Sequence, residues 1–143
     1  MIAIGCDHGG FELKEKVVAH LKSQGVDVKD MGCTSTASVD YPEYGRKVAH
    51  AVADGTCEKG IVICTTGIGI SISANKVKGI RCALCSDVLS AKMTRLHNDA
   101  NVLAIGAGII GPNLAMEIVD TFLNTEFSGE ERHQRRIDLI ENE

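Results

Sequence analysis

Cys64 closes the apolar run Gly60-Ile61-Val62-Ile63-Cys64, and Thr65-Thr66-Gly67-Ile68-Gly69 follows before the chain turns helical. A thiol, two hydroxyls and two glycines at a strand-to-helix corner point to anion chemistry. The first-turn N–H groups of a helix lack partners, and its dipole adds partial positive charge, so an oxyanion or phosphate is held well there. The same field favours the thiolate of Cys64, which makes it a base or a nucleophile. Glycines at 67 and 69 let the backbone approach a ligand closely or take positive φ. Taken alone, the stretch fits equally well a buried strand end followed by a tight turn, because a lone GxG is a weak signal.

Three other groups could add to this chemistry. Asp7 and His8 follow the first apolar run and offer a carboxylate and an imidazole; each alone also reads as a cap or a surface residue. His97, Asn98 and Asp99 end a helical stretch, where they serve either as a helix cap or in a neighbouring subunit's site. Arg132 and Arg136 in "ERHQRRIDLI" lie one helical turn apart on one face, where they could grip a phosphate; a solvated basic face is the other reading. Two sharper alternatives fail on the residues. Gly5-Cys6-Asp7-His8-Gly9-Gly10 puts a carboxylate and an imidazole where a dinucleotide pyrophosphate would rest. A cysteine-dependent phosphatase needs an arginine six positions after its nucleophile, and Ile70 stands there.

Short apolar runs and amphipathic stretches alternate to position these groups. Strands are expected at 2–6, 26–32, 60–64, 79–85 and 101–106, with helices at 11–25, 42–53, 67–76, 87–97, 113–123 and from 130 to the end. Five βα units in order make an α/β fold: a Rossmann-like, doubly wound five-stranded parallel sheet in a three-layer α/β/α sandwich, with a C-terminal helical tail. Ligands of such sheets bind outside the strand carboxyl ends, where Asp7, His8 and Cys64 to Gly69 belong. His97 precedes the fifth strand and falls at the other end.

The 143 residues fit a single domain spanning 1–143. Three Phe, two Tyr and no Trp leave little for stacking on bases, and a formal charge of −4 argues against nucleic acid or an anionic membrane as partner. No run is long enough to span a membrane and Met1 leads into a strand-like segment, so a cytoplasmic location is expected. The six cysteines then read as free thiols. Cys82 and Cys85 have CxxC spacing within a strand-like run, which points them to opposite faces and gives them a structural role; no metal site is expected.

The segments "GCDHGGFELK", "DYPEYG", "GIVICTTGIGISISANK", "GIRCALCS", "RLHNDANVLAIG" and "RHQRR" together resemble the ribose-5-phosphate isomerase B family, which includes galactose-6-phosphate and allose-6-phosphate isomerases. The resemblance implies an aldose–ketose isomerase, an intramolecular oxidoreductase acting on ribose 5-phosphate and ribulose 5-phosphate without metal or cofactor. It implies a homodimer or homotetramer with active sites shared between subunits. By the same resemblance Cys64 is the base and His97 the proton donor that helps open the sugar ring. Thr65, Thr66, Gly67, Ile68 and Gly69 form the oxyanion site, Asp7, His8 and Asn98 bind substrate, and Arg132 and Arg136 clamp the phosphate. Three departures stand out: Thr65 replaces the usual glycine after the cysteine, Gly108 stands where ribose-specific members commonly carry arginine, and "SGEERH" holds an extra residue before Arg132. They leave a hexose 6-phosphate as an alternative substrate, and a noncatalytic sugar-phosphate-binding protein as a more distant one.

Overall fold

The computed structural model describes residues 1–143. Its strands are β1 (Ile2–Cys6), β2 (Val28–Asp30), β3 (Lys59–Cys64), β4 (Cys82–Leu84) and β5 (Val102–Gly106). The helices are α1 (Phe11–Ser23), α2 (Tyr41–Ala53), α3 (Ile68–Asn75), α4 (Val88–Asn98), α5 (Pro112–Asn124) and α6 (Glu131–Glu141). Every strand pair is parallel, and the order is β2-β1-β3-β5-β4. This is the expected α/β sheet, with the chain leaving β1 to one side for β2 and returning to the other for β3. The loops after β1 and β3 therefore diverge and open a crevice between them.

Side chains alternate strictly across the sheet, as the two-residue period of a strand requires. Ile2, Ile4, Cys6, Ile61, Ile63, Leu103 and Ile105 pack on one face with Leu13, Val17 and Leu21 of α1, Ala91 of α4 and Ile118 and Phe122 of α5. Ala3, Val62, Cys64, Val102 and Ala104 pack on the other face with Val48 and Val52 of α2 and Ile70 and Ala74 of α3. Truncating a wholly buried residue such as Ile63 to alanine costs about 2–5 kcal/mol. The alternation also aims the Cys64 side chain at the layer that contains α3, the helix that begins just beyond it.

The expected fourth strand, 79–85, is reduced to Cys82–Leu84. Side chains share the pairing at its entry: Asn101 N–H donates to Arg81 O at 3.0 Å, while Asn101 Oδ1 accepts from Arg81 N at 2.8 Å and Asn101 Nδ2 donates to Gly79 O at 2.9 Å. Asn75 brackets Cys82 in the same way, accepting from its N–H at 2.8 Å and donating to its carbonyl at 2.9 Å. The second strand likewise shortens to Val28–Asp30, and Gly25, at φ 76, ends the turn after α1. Cys85 packs with α1 and α5 and Cys82 against the α2 and α3 side, so the two sulfurs do face opposite ways. All six cysteines are free.

Candidate active site

Parallel pairing fixes which loops meet at the strand carboxyl ends. Cys6 lies opposite Ile63 and Cys64 opposite Gly106, so Asp7 and His8, the turn after Cys64 and residues 107–110 share one rim. Three backbone bonds lock them together. Asp7 N–H donates to Ile63 O at 3.2 Å, Ala107 N–H to Cys64 O at 2.9 Å and Gly108 N–H to Thr65 O at 2.7 Å.

The helix starts one residue later than expected. Gly67 is its N-cap, at φ 76 in the left-handed region, and a Cβ there would lie 2.6 Å from Leu84 Cδ1 and 2.8 Å from the Ile105 carbonyl carbon. Only glycine fits both the conformation and the space. This kink turns the Gly67 N–H back onto Cys64 Sγ at 3.1 Å, a donor suited to a thiolate. Ile68 N–H finds Thr66 Oγ1 at 3.2 Å. The next N–H group of the first turn, that of the partly exposed Gly69, has no carbonyl partner inside the helix and remains available to an anion, whereas Ile70 behind it is wholly buried. Cys64 itself is 5% exposed, at the floor of this turn.

Beside it, the buried carboxylate of Asp7 caps the short 3-10 turn at His8–Gly10, accepting from Gly10 N–H at 3.1 Å. His8 is exposed, and its Nδ1 accepts from Val39 N–H at 3.2 Å, which directs Nε2 outward. Thr65 stands in the notch between the β1 and β5 loops. A Cβ on Gly9 would overlap its hydroxyl, and one on Gly108 would lie 3.0 Å from its Cγ2. The glycine at 108 and the threonine at 65 are thus sterically matched, and the two departures noted in the sequence are one packing unit.

His97, Asn98, Arg132 and Arg136 gather elsewhere. α4 starts just beyond the carboxyl end of β4 and runs back along the sheet for 11 residues, a length of about 16 Å. Its last turn therefore lies toward the amino ends of the strands, as the element order implies. There α6 packs against it, and His97, Asn98, Arg132, His133, Arg136, Ile137 and Ile140 line a cleft of about 350 Å³. Arg81 pins the two elements: Nη1 donates to Glu141 Oε1 at 2.7 Å, Nε to Asn98 O and Nη2 to Asp99 O, both at 2.9 Å. Arg95 Nη1 adds a bond to Asp99 Oδ1 at 2.7 Å, across the left-handed C-cap of α4 at φ 45. Arg132 and Arg136 do share a face, so the extra residue before Arg132 leaves the pair together.

The sequence reading left out His133, which is 5% exposed. Its ring stacks on His97 with centroids 4.3 Å apart, and its Nδ1 lies 2.8 Å from Ser128 Oγ. Burial, then the adjoining His97, holds its pKa below the ordinary imidazole value. The signal was there: His133, Ile137 and Ile140 fall at helical spacing, so the histidine sits on the apolar stripe of α6.

The other thiols are built as core. Burial, then the carboxylate of Asp87, pushes Cys85 up to about 11, and burial raises Cys82 as well. No three His, Cys, Asp or Glu side chains are grouped so as to hold a metal ion. No helix is long and apolar enough to cross a membrane.

Known proteins share this arrangement along nearly the whole chain. Ribose-5-phosphate isomerase B of Escherichia coli strain K12 is 52% identical over 139 residues, covering 97% of this chain and 93% of that protein. A solved structure of ribose-5-phosphate isomerase B from Clostridium thermocellum superimposes with a TM-score of 0.96 at 53% identity, covering 98% of this chain and 94% of that one. The ribose 5-phosphate isomerase of Thermotoga maritima gives 0.97 at 48% identity, covering 99% and 97%. Residues 2–140 match the Ribose/Galactose Isomerase family, and with the sheet order, the cysteine turn and this coverage in agreement, the chain belongs to that family and is an isomerase.

Proposed function

We propose that the chain interconverts ribose 5-phosphate and ribulose 5-phosphate as one isomerase domain of residues 1–143, with Cys64 as the base. The observation that carries this reading is the Gly67 N–H on Cys64 Sγ, with the N–H group of Gly69 open beside it. The thiolate takes the acidic proton from C2 of the aldose and the electrons move onto the carbonyl oxygen O1; a proton then passes from O2 to O1, and the enediolate, now charged at O2, takes the first proton back at C1 as the C2 carbonyl forms. Negative charge grows on the oxygen during this step. The backbone from Thr65 to Gly69 holds it with donors that need no reorganisation, each worth about 2.7–4 kcal/mol by comparison with other oxyanion holes. Asp7 and His8 bind sugar hydroxyls. His97 and Asn98, with Arg132 and Arg136 on the phosphate, act from the partner subunit in a homodimer or a homotetramer.

Two observations support the shared site. Within one chain the basic cleft lies a helix length from the thiol. Exposed apolar side chains also lie beside both halves: Tyr41, Ile68, Ile72, Leu84 and Ile109 near the cysteine turn, and Leu139 and Ile140 on α6. Exposed apolar side chains beside two half-sites suit the association of two copies of one chain. A cytoplasmic location goes with a substrate of this kind.

Ribose 5-phosphate, allose 6-phosphate and galactose 6-phosphate assayed side by side test the proposal, with Cys64→Ala as control. The pentose should give the highest kcat/KM, and Cys64→Ala should lower turnover by about 10²–10⁴-fold. A hexose preference would make the matched Thr65 and Gly108 the mark of a remodelled pocket. Turnover unchanged in Cys64→Ala would remove the thiol from the mechanism, and a protein that binds but turns over none of the three is a noncatalytic binder.

A further inference from the structure

The largest wholly buried side chain of the protein is a lysine. Lys14 projects from α1 into the sheet with its side chain 1% exposed. Its ammonium donates to both carboxylate oxygens of Asp30, at 2.9 and 3.0 Å, and to the carbonyl of Cys33 at 2.7 Å. An ammonium has three donors, which these acceptors use, and Glu15 Oε1 lies 3.3 Å away as a further anion. Burial by itself would lower the pKa of Lys14, but the hydrogen bond to Asp30 and the charge of that carboxylate overcome it and leave the pKa above its ordinary value. Packing alone does not call for this charge, since taking an ammonium out of water carries a desolvation cost that an apolar side chain of similar volume would not incur.

Both acceptors lie at the root of one segment. Asp30 ends β2 and also takes the Gly32 N–H at 2.9 Å. Cys33 N–H donates to Cys6 O at 3.0 Å, and Cys6 N–H to Gly32 O at 2.7 Å, which joins the root to the end of β1. Six residues on, Val39 N–H donates to His8 Nδ1. A neutral imidazole that accepts at Nδ1 carries its proton on Nε2 and offers it outward as a donor. Segment 33–39 is therefore anchored at one end and grips His8 at the other.

We infer that Lys14 is a positioning residue: through Asp30 and the Cys33 carbonyl it holds segment 33–39 so that Val39 fixes His8 as an Nε2–H donor toward the sugar. The part that concerns sugar binding rests on the function proposed above. The hold on the imidazole can be read in the protein without substrate.

The test pairs imidazole NMR of ¹⁵N-labelled protein with ribose 5-phosphate kinetics, for Lys14→Met and Asp30→Asn, in the natural chain and in a His8→Ala background. In the natural chain His8 should show a protonated Nε2 and a bare Nδ1, and both variants should mix the two tautomers. KM should rise about three- to tenfold, the equivalent of one neutral hydrogen bond, with kcat within about twofold. In the His8→Ala background the same substitutions should leave KM almost unmoved, whatever they do to the melting temperature. An unchanged His8 tautomer in the variants overturns the inference, and so does an equal rise in KM when His8 is absent, since a merely structural lysine gives that result. If Lys14→Met does not fold, Asp30→Asn alone decides. If the natural chain turns over no sugar phosphate, the functional reading fails while the tautomer still decides the role of Lys14.

Discussion

The turn after β3 and the cleft between α4 and α6 both suit an anion, and they are built in opposite ways. The turn uses backbone N–H groups set by one glycine kink, with nothing to reorganise when charge arrives. The cleft uses long cationic side chains: Arg132 is 61% exposed and already paired with Glu130 at 2.9 Å, while Arg81 holds the framework behind it. Rigid donors near a thiol favour a charge that exists only in the transition state, whereas flexible arginines grip a charge that the substrate always carries. The first arrangement should govern kcat and the second KM.

The sharpest break of this comparison is a mixing experiment. Cys64→Ala and His97→Asn homo-oligomers should each be nearly inactive. Unfolded together and refolded as random dimers, they should recover about a quarter of natural activity, because half of the dimers are mixed and each mixed dimer has one intact shared site out of two. No recovery on mixing would mean that both halves serve the same chain, and the proposed assembly would be wrong.

A smaller effect separates grip from chemistry. Arg136→Ala should raise KM for the sugar phosphate by about 10–100-fold, as expected for one charge-assisted hydrogen bond, with kcat little changed. Gly67→Ala should do the reverse and lower kcat, since a Cβ at φ 76 and 2.6 Å from Leu84 Cδ1 must distort the turn. If steady-state kinetics put both losses in the same constant, the assignment of roles to the two regions fails.

Smaller again is the coupling inside the rim. Gly108→Ala should destabilise by about 1–3 kcal/mol through the contact with Thr65, in line with other overpacked sites. Thr65→Ser, which lacks the crowded methyl, should relieve only part of that cost, since the Thr65 carbonyl oxygen would still lie 3.1 Å from the new Cβ. A double-mutant cycle by denaturant unfolding measures the interaction, and strict additivity would show that the two positions are independent.

The two regions also differ in how far the sequence exposed them. The turn was readable because its elements are local: the apolar run before Cys64, the glycines after it and five βα units that send Asp7 and His8 to the same rim. The cleft was half readable. Arg132 and Arg136 announce themselves by spacing, and the order of elements already placed His97 at the far end of the sheet. His133 and Lys14 escaped because charge and polarity argued for the surface while position argued for the core. Lys14, Val17, Val18 and Leu21 follow the same helical spacing as any buried stripe, and the distant acceptors on Asp30 and Cys33, with the neighbouring Glu15 carboxylate at 3.3 Å, make that position tolerable for an ammonium. The short β4 was hidden for a similar reason, because Asn75 and Asn101 supply side-chain bonds from other elements beside the few backbone ones.

His133 supplies the smallest expected effect and a last contrast, since the cleft is the half that should respond to acid. The imidazole is buried against His97, with Arg132 and Arg136 on its own helix, and only Glu130, at 3.9 Å, pulls the other way. Its pKa in the folded protein lies below the ordinary value of 6.5, so on acidification the unfolded chain binds this proton first. Stability then rises with pH through that window, and the contribution is lost as pH falls from the unfolded value toward the native one. Melting temperatures taken from about pH 7.5 to about pH 5 should fall less steeply in His133→Gln, which keeps a hydrogen-bonding group for Ser128 but cannot titrate. Parallel slopes would mean that His133 accepts its proton in place, with no net cost to the fold.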